Sequence, residues 1–435
     1  MSHARHLTKY RYLCRGQTAT TMKPTTLLAK RIYSAIDGNP RGISSLAIKI
    51  SVCGIALGIA VIILSVAIIT GFKQEVKDKI YGFTADARVC NLDYATSYAA
   101  SPVSFTDTLA TALTAVPGVK HIQPYSITPG MVKTDDDFQG VILKGVDSLY
   151  DTAYLTASLL EGHLPDAIDG HTGKGEIMVS RIFADRLGLK TGDDIYAYFF
   201  NKSLKARKLT VCGIYQTNIN EHDNLFALTD KATVDRLNGW QDTQATGVEI
   251  MMHDGADRDA AIDSIYSLLY GQWENERLTV EVPEEIYPDI FSWLGVLDTN
   301  VTVILVLMIG LSAFSVVSGL LIILLERIGT IGILKALGAD DRFVKRVFSG
   351  IAAMIVARGL LWGNAIGLGI YILQRVSHVF SLDPAVYYVD HVPVDITVPH
   401  VIGINLLVAA VALAVFLLPS MMISRVNPTK TMKFD

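Results

Sequence analysis

Four stretches of this 435-residue chain are apolar for long enough to cross a lipid bilayer. A helix needs about 20 such residues to traverse the hydrocarbon core. Ile50 to Phe72 and Thr299 to Leu325 carry no charge, Val347 to Gln374 carries only Arg358, and Val398 to Ser424 offers only His400 as a cation. The competing reading, buried helices of a soluble protein, would need four core helices of unusual length. Only 18% of the residues are charged, against about a quarter in a soluble protein.

Lys and Arg near the span ends set the orientation. Lys23, Lys30, Arg31, Arg41 and Lys49 precede the first span. Arg327, Lys335, Arg342, Lys345 and Arg346 lie between the second and third, and Arg425, Lys430 and Lys433 follow the fourth. Both termini and the middle loop are therefore expected in the cytoplasm. The segment 73–297 is expected outside it; there 19 Lys and Arg face 33 Asp and Glu, a net of −14, and the rest of the chain carries +10. The predicted division is an extension 1–22, an amphipathic cytoplasmic segment 23–49, and spans 50–72, 298–325, 347–375 and 398–420. Between and after the spans come the large domain 73–297, a cytoplasmic segment 326–346, a short loop 376–397 and a tail 421–435.

The first 21 residues are polar and basic without the apolar stretch of a secretory signal, and Met22 is read as the true start. Leu27, Leu28, Ile32 and Ile36 then share one helical face, which predicts a short helix lying on the inner membrane surface. Within the large domain, strands are predicted at 87–92, 141–146, 176–179, 194–200, 208–215, 248–252 and 278–282. Helices are predicted at 106–116, 181–187 and 257–270. The fold class is four transmembrane helices plus a large extracytoplasmic mixed α/β domain. Cys90 and Cys212 fall in strand-like segments; they could pair in an oxidising compartment, but buried free thiols are the simpler reading.

Chemistry-bearing motifs are scarce. Gly173-Lys174-Gly175 lacks the Ser or Thr of a phosphate-binding loop. His163, His171, His222 and His253 are scattered rather than clustered as metal ligands would be. Asp135-Asp136-Asp137 reads as a solvated turn, and no nucleophile–base constellation is present. Neither an enzyme site, a bound cofactor, a metal nor a nucleic-acid surface is expected.

More is carried by small residues. Gly54 with Gly58, and Gly363 with Gly367, form Gly-x-x-x-Gly pairs that let helices approach closely in lipid. Arg358, deep in a span, should face a partner, a cavity or the interface. After the second span runs Glu326-Arg327-Ile328-Gly329-Thr330-Ile331-Gly332-Ile333-Leu334-Lys335-Ala336-Leu337-Gly338-Ala339. Ile328, Ile331, Leu334 and Leu337 recur near helical spacing, Gly329 and Gly332 allow close approach, and Gly338 is placed to end a helix. Such apolar residues need either a groove on another protein or the chain's own bundle.

This segment resembles the coupling segment of the FtsX-like permeases, whose usual form is Glu-Ile-Gly-Ile-Leu-Lys-Ala-Leu-Gly-Ala. Here Thr330 stands where that form has Glu. Gly54 to Gly58 and Thr70 to Glu75 resemble the first span and exit of the lipoprotein-releasing LolC/LolE branch. Pro419 to Pro428 resembles the family's closing segment. Lys144 to Asp147, Gly188 to Asp193 and Val211 to Ile214 resemble its MacB-like extracytoplasmic core domain.

The resemblance implies a type VII ABC transporter of the bacterial inner membrane. In it two permease chains, identical or sisters, pair with two ATPase chains that bind ATP and Mg. Glu326, Arg327, Ile328, Gly329, Ile331, Gly332, Leu334, Lys335, Leu337 and Gly338 would couple to the ATPase. A lipoprotein would enter from the membrane lipid and pass to a periplasmic carrier, with Phe200 and Leu204 of the turn 199–207 as carrier contacts. The alternatives are a MacB-like efflux permease, an FtsX-like permease acting on a cell-wall hydrolase, and a receptor or scaffold without an ATPase. Gly332→Trp and Lys335→Glu would separate the scaffold from the permeases.

Overall fold

In a computed structural model the structure describes residues 24–37, 43–95, 101–133, 138–169, 175–200 and 204–416. The extension and Lys23, the Asp135–Asp137 turn, Gly173-Lys174, His171, the tip residues 201–203 and the closing segment lie outside them. The chain divides into two compact units, one drawn from 1–71, 297–379 and 394–435, the other from 72–296 and 380–393.

The first unit is helical. Among the described residues four helices are long and apolar enough to cross a membrane: Ile43–Thr84, Pro288–Glu326, Asp341–Ser377 and Val398–Val415, the first to fourth span helices here. Three of them exceed the predicted spans at both ends. At 42 and 39 residues, the first and second helices rise about 60 Å each, twice a hydrocarbon core of about 30 Å. Ile55, Ile59, Ile63, Val316, Leu320, Ile323, Ile351 and Ile355 build the bundle core.

The N-terminal helix Pro24–Asp37 corrects the expected surface helix. Its buried residues are Thr25, Ala29 and Tyr33, whereas Leu27 is exposed. Ala29 lies against Gly350 of the third span helix. A small residue facing a glycine lets two backbones close up, so the Ala29–Tyr33 face of this helix packs on the bundle.

Among the described residues the second unit holds twelve strands. They are β1 (Ala87–Asn91), β2 (Val103–Ser104), β3 (Val119–Lys133), β4 (Phe138–Val146), β5 (Leu159–Gly162), β6 (Glu176–Ser180), β7 (Asp194–Phe200), β8 (Leu204–Tyr215), β9 (Phe226–Asp230), β10 (Gln244–Ala245), β11 (Gly247–Met252) and β12 (Leu278–Glu281). Ten form one sheet in the order β12-β1-β11-β3-β4-β9-β6-β8-β5, with β7 pairing β3 and β8; β2 and β10 pair separately. Strand–helix steps recur: Ser180 caps Arg181–Leu187, which ends at Gly188 with φ 65°, and Asp230 caps Lys231–Asn238, which ends at Gly239 with φ 74°.

β3, the spine of this sheet, was not predicted, because Pro124 and Pro129 argue against a central strand. The sheet tolerates them because β3 changes partners. Residues 119–125 pair with β11, 126–133 with β4, and only 130–133 also with β7. Each proline therefore sits where β3 has a neighbour on one side only. At the changeover, Thr246 accepts the Ile127 N–H and the Asn238 amide donates to the Ile127 carbonyl, at 2.8 and 3.0 Å. The expected loop 376–397 also differs. Its residues 380–393 belong to this unit, with the Tyr388 carbonyl accepting from Lys79 at 2.9 Å and its ring edge-on to Trp293.

Candidate functional site

Glu326 ends the second span helix and Arg327 breaks it, with φ −99° and ψ 14°, before the short helix Ile328–Ala336. The Glu326 carboxylate accepts the Ser44 N–H at 2.8 Å and the Ser44 hydroxyl. It thus caps the N-terminus of the first span helix, where a negative charge meets unpaired N–H groups and the positive dipole end. Leu337 ends the short helix and Gly338 follows with φ 91°. The Gly338 N–H donates to the Lys335 carbonyl and the Ala339 N–H to Leu334, a Schellman arrangement.

The short helix has two faces. Ile331, 1% exposed, and Gly332 are buried in the bundle, and Ile328 packs partly against it. Lys335 is turned inward to Asp341 at 2.9 Å. Leu334 is half-buried. The opposite face presents Gly329, Thr330, Ile333 (56% exposed), Ala336 and Leu337 (80% exposed), with Gly338 beyond. Of the residues read as coupling contacts, Glu326, Ile331, Gly332 and Lys335 therefore serve the chain's own packing. Ile333 was missed because a spacing of three was followed from Ile328. The Gly329-Ile333-Leu337 spacing of four would have found it.

Above this helix, the small residues join the spans. Gly54 faces Ser315, Gly58 faces Ser312 and Gly319 faces Ser51, whose hydroxyl donates to the Ser315 carbonyl at 2.9 Å. On the other side of the first span helix, Gly359 packs on Ile55, Gly363 on Ile59 and Ala56, and Gly367 on Ala60 and Ile63. Gly359 extends the Gly363–Gly367 series by one turn and was overlooked. Also overlooked were Asn364 and Asn405, which exchange amide hydrogen bonds of 2.6 and 2.9 Å between the third and fourth span helices. Polar amides in otherwise apolar spans are the signal that marks such pairs.

In the second unit, Phe200 and Leu204 are direct cross-strand partners of the β7–β8 hairpin and both are 64% exposed. The hairpin is longer than predicted, since β8 begins at Leu204 rather than Lys208. Phe199 points the other way, into the core. Cys90 and Cys212 are buried free thiols in separate clusters, each pushed by burial up to about 12. His163, Glu176 and Cys212 place one donor atom each within 4.8 Å of the others. Two of the three already hold backbone partners: the His163 Nδ1 meets the Leu164 carbonyl, and Glu176 accepts the Asp166 N–H. Three separate strands or strand ends bring them together, so spacing gave no sign of it.

The same unit holds a charged interior. Lys144, fully buried, donates to Glu249 at 2.6 Å, to the Phe83 carbonyl at 2.7 Å and to the Tyr150 hydroxyl at 3.3 Å. Burial lowers the Lys144 ammonium and Glu249 partly offsets it. His222 stacks on Phe83, and its Nε2 meets the Tyr287 hydroxyl at 2.9 Å. Burial holds it at about 3, with Lys144 adding to the effect.

A helix bundle interrupted by a large mixed α/β domain, with glycine-packed spans and a two-faced helix after the second, defines a multi-pass membrane protein. Residues 50–268 match the MacB-like periplasmic core domain and residues 302–428 the FtsX-like permease C-terminal domain. The chain belongs to the family with a MacB-like periplasmic core domain followed by an FtsX-like permease C-terminal domain, and its curated relatives include LolC and LolE proteins. Over 409 residues it is 25% identical to the lipoprotein-releasing system transmembrane protein LolC of Xylella fastidiosa, covering 88% of this chain and 93% of that one. It is 24% identical over 403 residues to the corresponding LolE of Haemophilus influenzae, with the same coverage. Among solved structures, the periplasmic region of MacB from Actinobacillus actinomycetemcomitans is similar at 14% identity and a TM-score of 0.35, over 48% of this chain and 95% of that one.

Proposed function

We propose that this chain is a membrane subunit of a lipoprotein-releasing ABC transporter in the inner membrane of a bacterium with two membranes, with both termini in the cytoplasm. A partner ATPase binds ATP and Mg and docks on the exposed face of Ile328–Ala336. Its closure moves that helix, and the continuous second span helix carries the motion along its length. A second permease chain, the same or a sister, pairs with it. A lipoprotein is drawn from the membrane and handed to a soluble carrier that meets Phe200 and Leu204.

The observation that carries this reading is the exposed row Gly329, Ile333 and Leu337 on a helix whose other face is buried. Two large apolar side chains follow a glycine along that face, which fits insertion into a groove. The test follows from the two faces. Gly332→Trp or Lys335→Glu would disturb the chain's own packing, so their effects would be ambiguous. Ile333→Asp with Leu337→Asp alters only the outer face. The double variant should fold with unchanged thermal stability and lose co-purification with its ABC ATPase; retention of the ATPase would refute the docking site.

The substrate is tested by identifying what co-purifies with the intact chain from its native membrane. Outer-membrane lipoproteins are expected, whereas a cell-wall hydrolase or an efflux adaptor would favour the alternative permease functions. Phe200→Ala with Leu204→Ala should weaken carrier binding, and unchanged binding would remove the hairpin from the proposal.

A further inference from the structure

Three residues of the core domain that none of the roles above uses meet near one edge of its sheet. They are His163, Glu176 and Cys212, and one donor atom from each lies within 4.8 Å of the other two. The strand order explains the meeting, because β8 runs between β6 and the edge strand β5. His163 follows β5, Glu176 opens β6 and Cys212 lies in β8. The His163 N–H donates to the Cys212 carbonyl at 3.0 Å, and Glu176 stands opposite Thr210, two residues before Cys212.

The backbone is shaped around the cysteine. Ile177 and Met178 of β6 pair with Val211 and Gly213, so Cys212 is the extra residue of a bulge. The bulge breaks alternation: Val211 and Ile214 enter one apolar cluster, Cys212 and Tyr215 another. Close approach of β5 needs two glycines. A Cβ on Gly162, whose φ is 82°, would strike the Cys212 carbonyl, and one on Gly213 would lie 2.6 Å from the His163 carbonyl. The Thr229 hydroxyl donates to the Glu176 carbonyl at 2.6 Å and holds the start of β6. Three backbones are thus held, and side-chain rotation is enough to complete a site.

The side chains are oriented as metal ligands are. The His163 Nδ1–H donates to the Leu164 carbonyl at 2.8 Å, which leaves the lone pair on Nε2. A ligating histidine commonly gives its other N–H to a backbone carbonyl in this manner. One Glu176 oxygen accepts the Asp166 N–H at 2.8 Å, and the carboxylate has a second oxygen to offer. Cys212 is buried, whereas His163 is exposed and Glu176 half-buried, which gives an ion a way in. Tetrahedral zinc holds such donors at about 2.0–2.3 Å, hence roughly 3.3–3.8 Å from one another. Closing the set onto the ion takes no more than about 1.5 Å of side-chain movement. Imidazole, thiolate and carboxylate together suit zinc, whereas calcium and magnesium take oxygen ligands.

We propose that His163, Glu176 and Cys212 form a zinc site, with water as the fourth ligand, that clips the end of β5 to β8 and β6. On binding, the Cys212 thiol releases its proton to solvent and the sulfur bonds the ion. The site does not depend on lipoprotein release.

The test uses the intact detergent-purified chain without a histidine tag, stripped by a chelator and titrated with Co²⁺, whose thiolate complexes show a near-ultraviolet charge-transfer band. A stoichiometric amount of Co²⁺ should produce the band and Zn²⁺ should erase it. Cys212→Ser should abolish the band, and Cys90→Ser should leave it. Because Cys212 is buried, His163→Gln, at an exposed position, is the second variant. It should weaken Zn²⁺ binding by at least about tenfold, the loss that even an outer-shell partner causes. A parent chain that gives no band would overturn the proposal. So would a band that survives Cys212→Ser, or a Zn²⁺ affinity unchanged in both His163→Gln and Glu176→Gln.

Discussion

In the core domain, Lys144 and Glu249 pair at 2.6 Å with almost no access to solvent, near a buried Lys231–Asp235 pair and a buried His222. In the helical unit, the buried polar residues among those described are Thr25, Ser44, Ser45, Ser51, Ser312 and Gln374, none of them ionised. The contrast follows from what each unit must satisfy. A membrane helix bonds its own backbone, and its association rests on close contact between small side chains. A sheet whose strands change partners leaves backbone and side-chain groups that other polar groups must meet, and a charge can be buried there when it is paired and hydrogen-bonded. The core is thus vulnerable to loss of charge, and the bundle to gain of volume.

The largest expected effect tests the first half of that statement. Lys144→Met leaves Glu249 buried without its cation and should destabilise the core domain by about 3–5 kcal/mol. Adding Glu249→Gln should restore much of the loss. Chemical denaturation followed by circular dichroism measures both; a Lys144→Met chain as stable as the parent would show that the pair is not what orders this interior.

Acid should strike the same interior. His222 takes its proton at about 3 in the folded chain, against about 6.5 when unfolded. The unfolded state therefore binds more protons between these values, and stability is complete above pH 6.5 and falls as the pH drops towards 3. The slope from this group approaches about 1.4 kcal/mol per pH unit. His222→Phe should flatten that limb relative to the parent, and an identical pH profile would exclude His222 as its source.

In the bundle, the two sides of the first span helix should respond differently. A Cβ at Gly363 meets the Ala56 carbonyl oxygen at 2.9 Å and the Ile59 Cβ at 2.8 Å. Gly363→Ala should cost about 1–3 kcal/mol in the thermal stability of the detergent-purified chain, with no single partner change to relieve it. The Cβ at Gly54 meets only the Ser315 side chain. Gly54→Ala should cost less, about 1 kcal/mol, and Ser315→Gly should rescue it. A Gly54→Ala chain that Ser315→Gly leaves unimproved would mean that the two seams are packed alike.

Much of the fold was legible locally. The helix Arg181–Leu187 and the strand Asp194–Phe200 have the predicted bounds, because caps, Gly188 and alternation are read from neighbours. The strand–helix step β9 with Lys231–Asn238 was missed, as its helix is polar although six of its eight residues are buried. The candidate site was half legible. The segment 326–339 stood out, yet which face of its helix points outward depends on the bundle that covers Ile331 and Gly332.

The sequence by itself determined the four membrane helices, since a segment in lipid must satisfy its own backbone and only apolar length is needed to mark it. It also determined the glycine pairs on the spans, because their spacing of four is a property of one helix. Only the tertiary structure decided which neighbour each glycine meets, that Glu326 caps Ser44 some 282 residues away, and that Lys144 reaches Glu249 across the sheet. Those contacts join residues distant in the chain, and no local pattern of charge or hydrophobicity records which distant partner the fold will deliver.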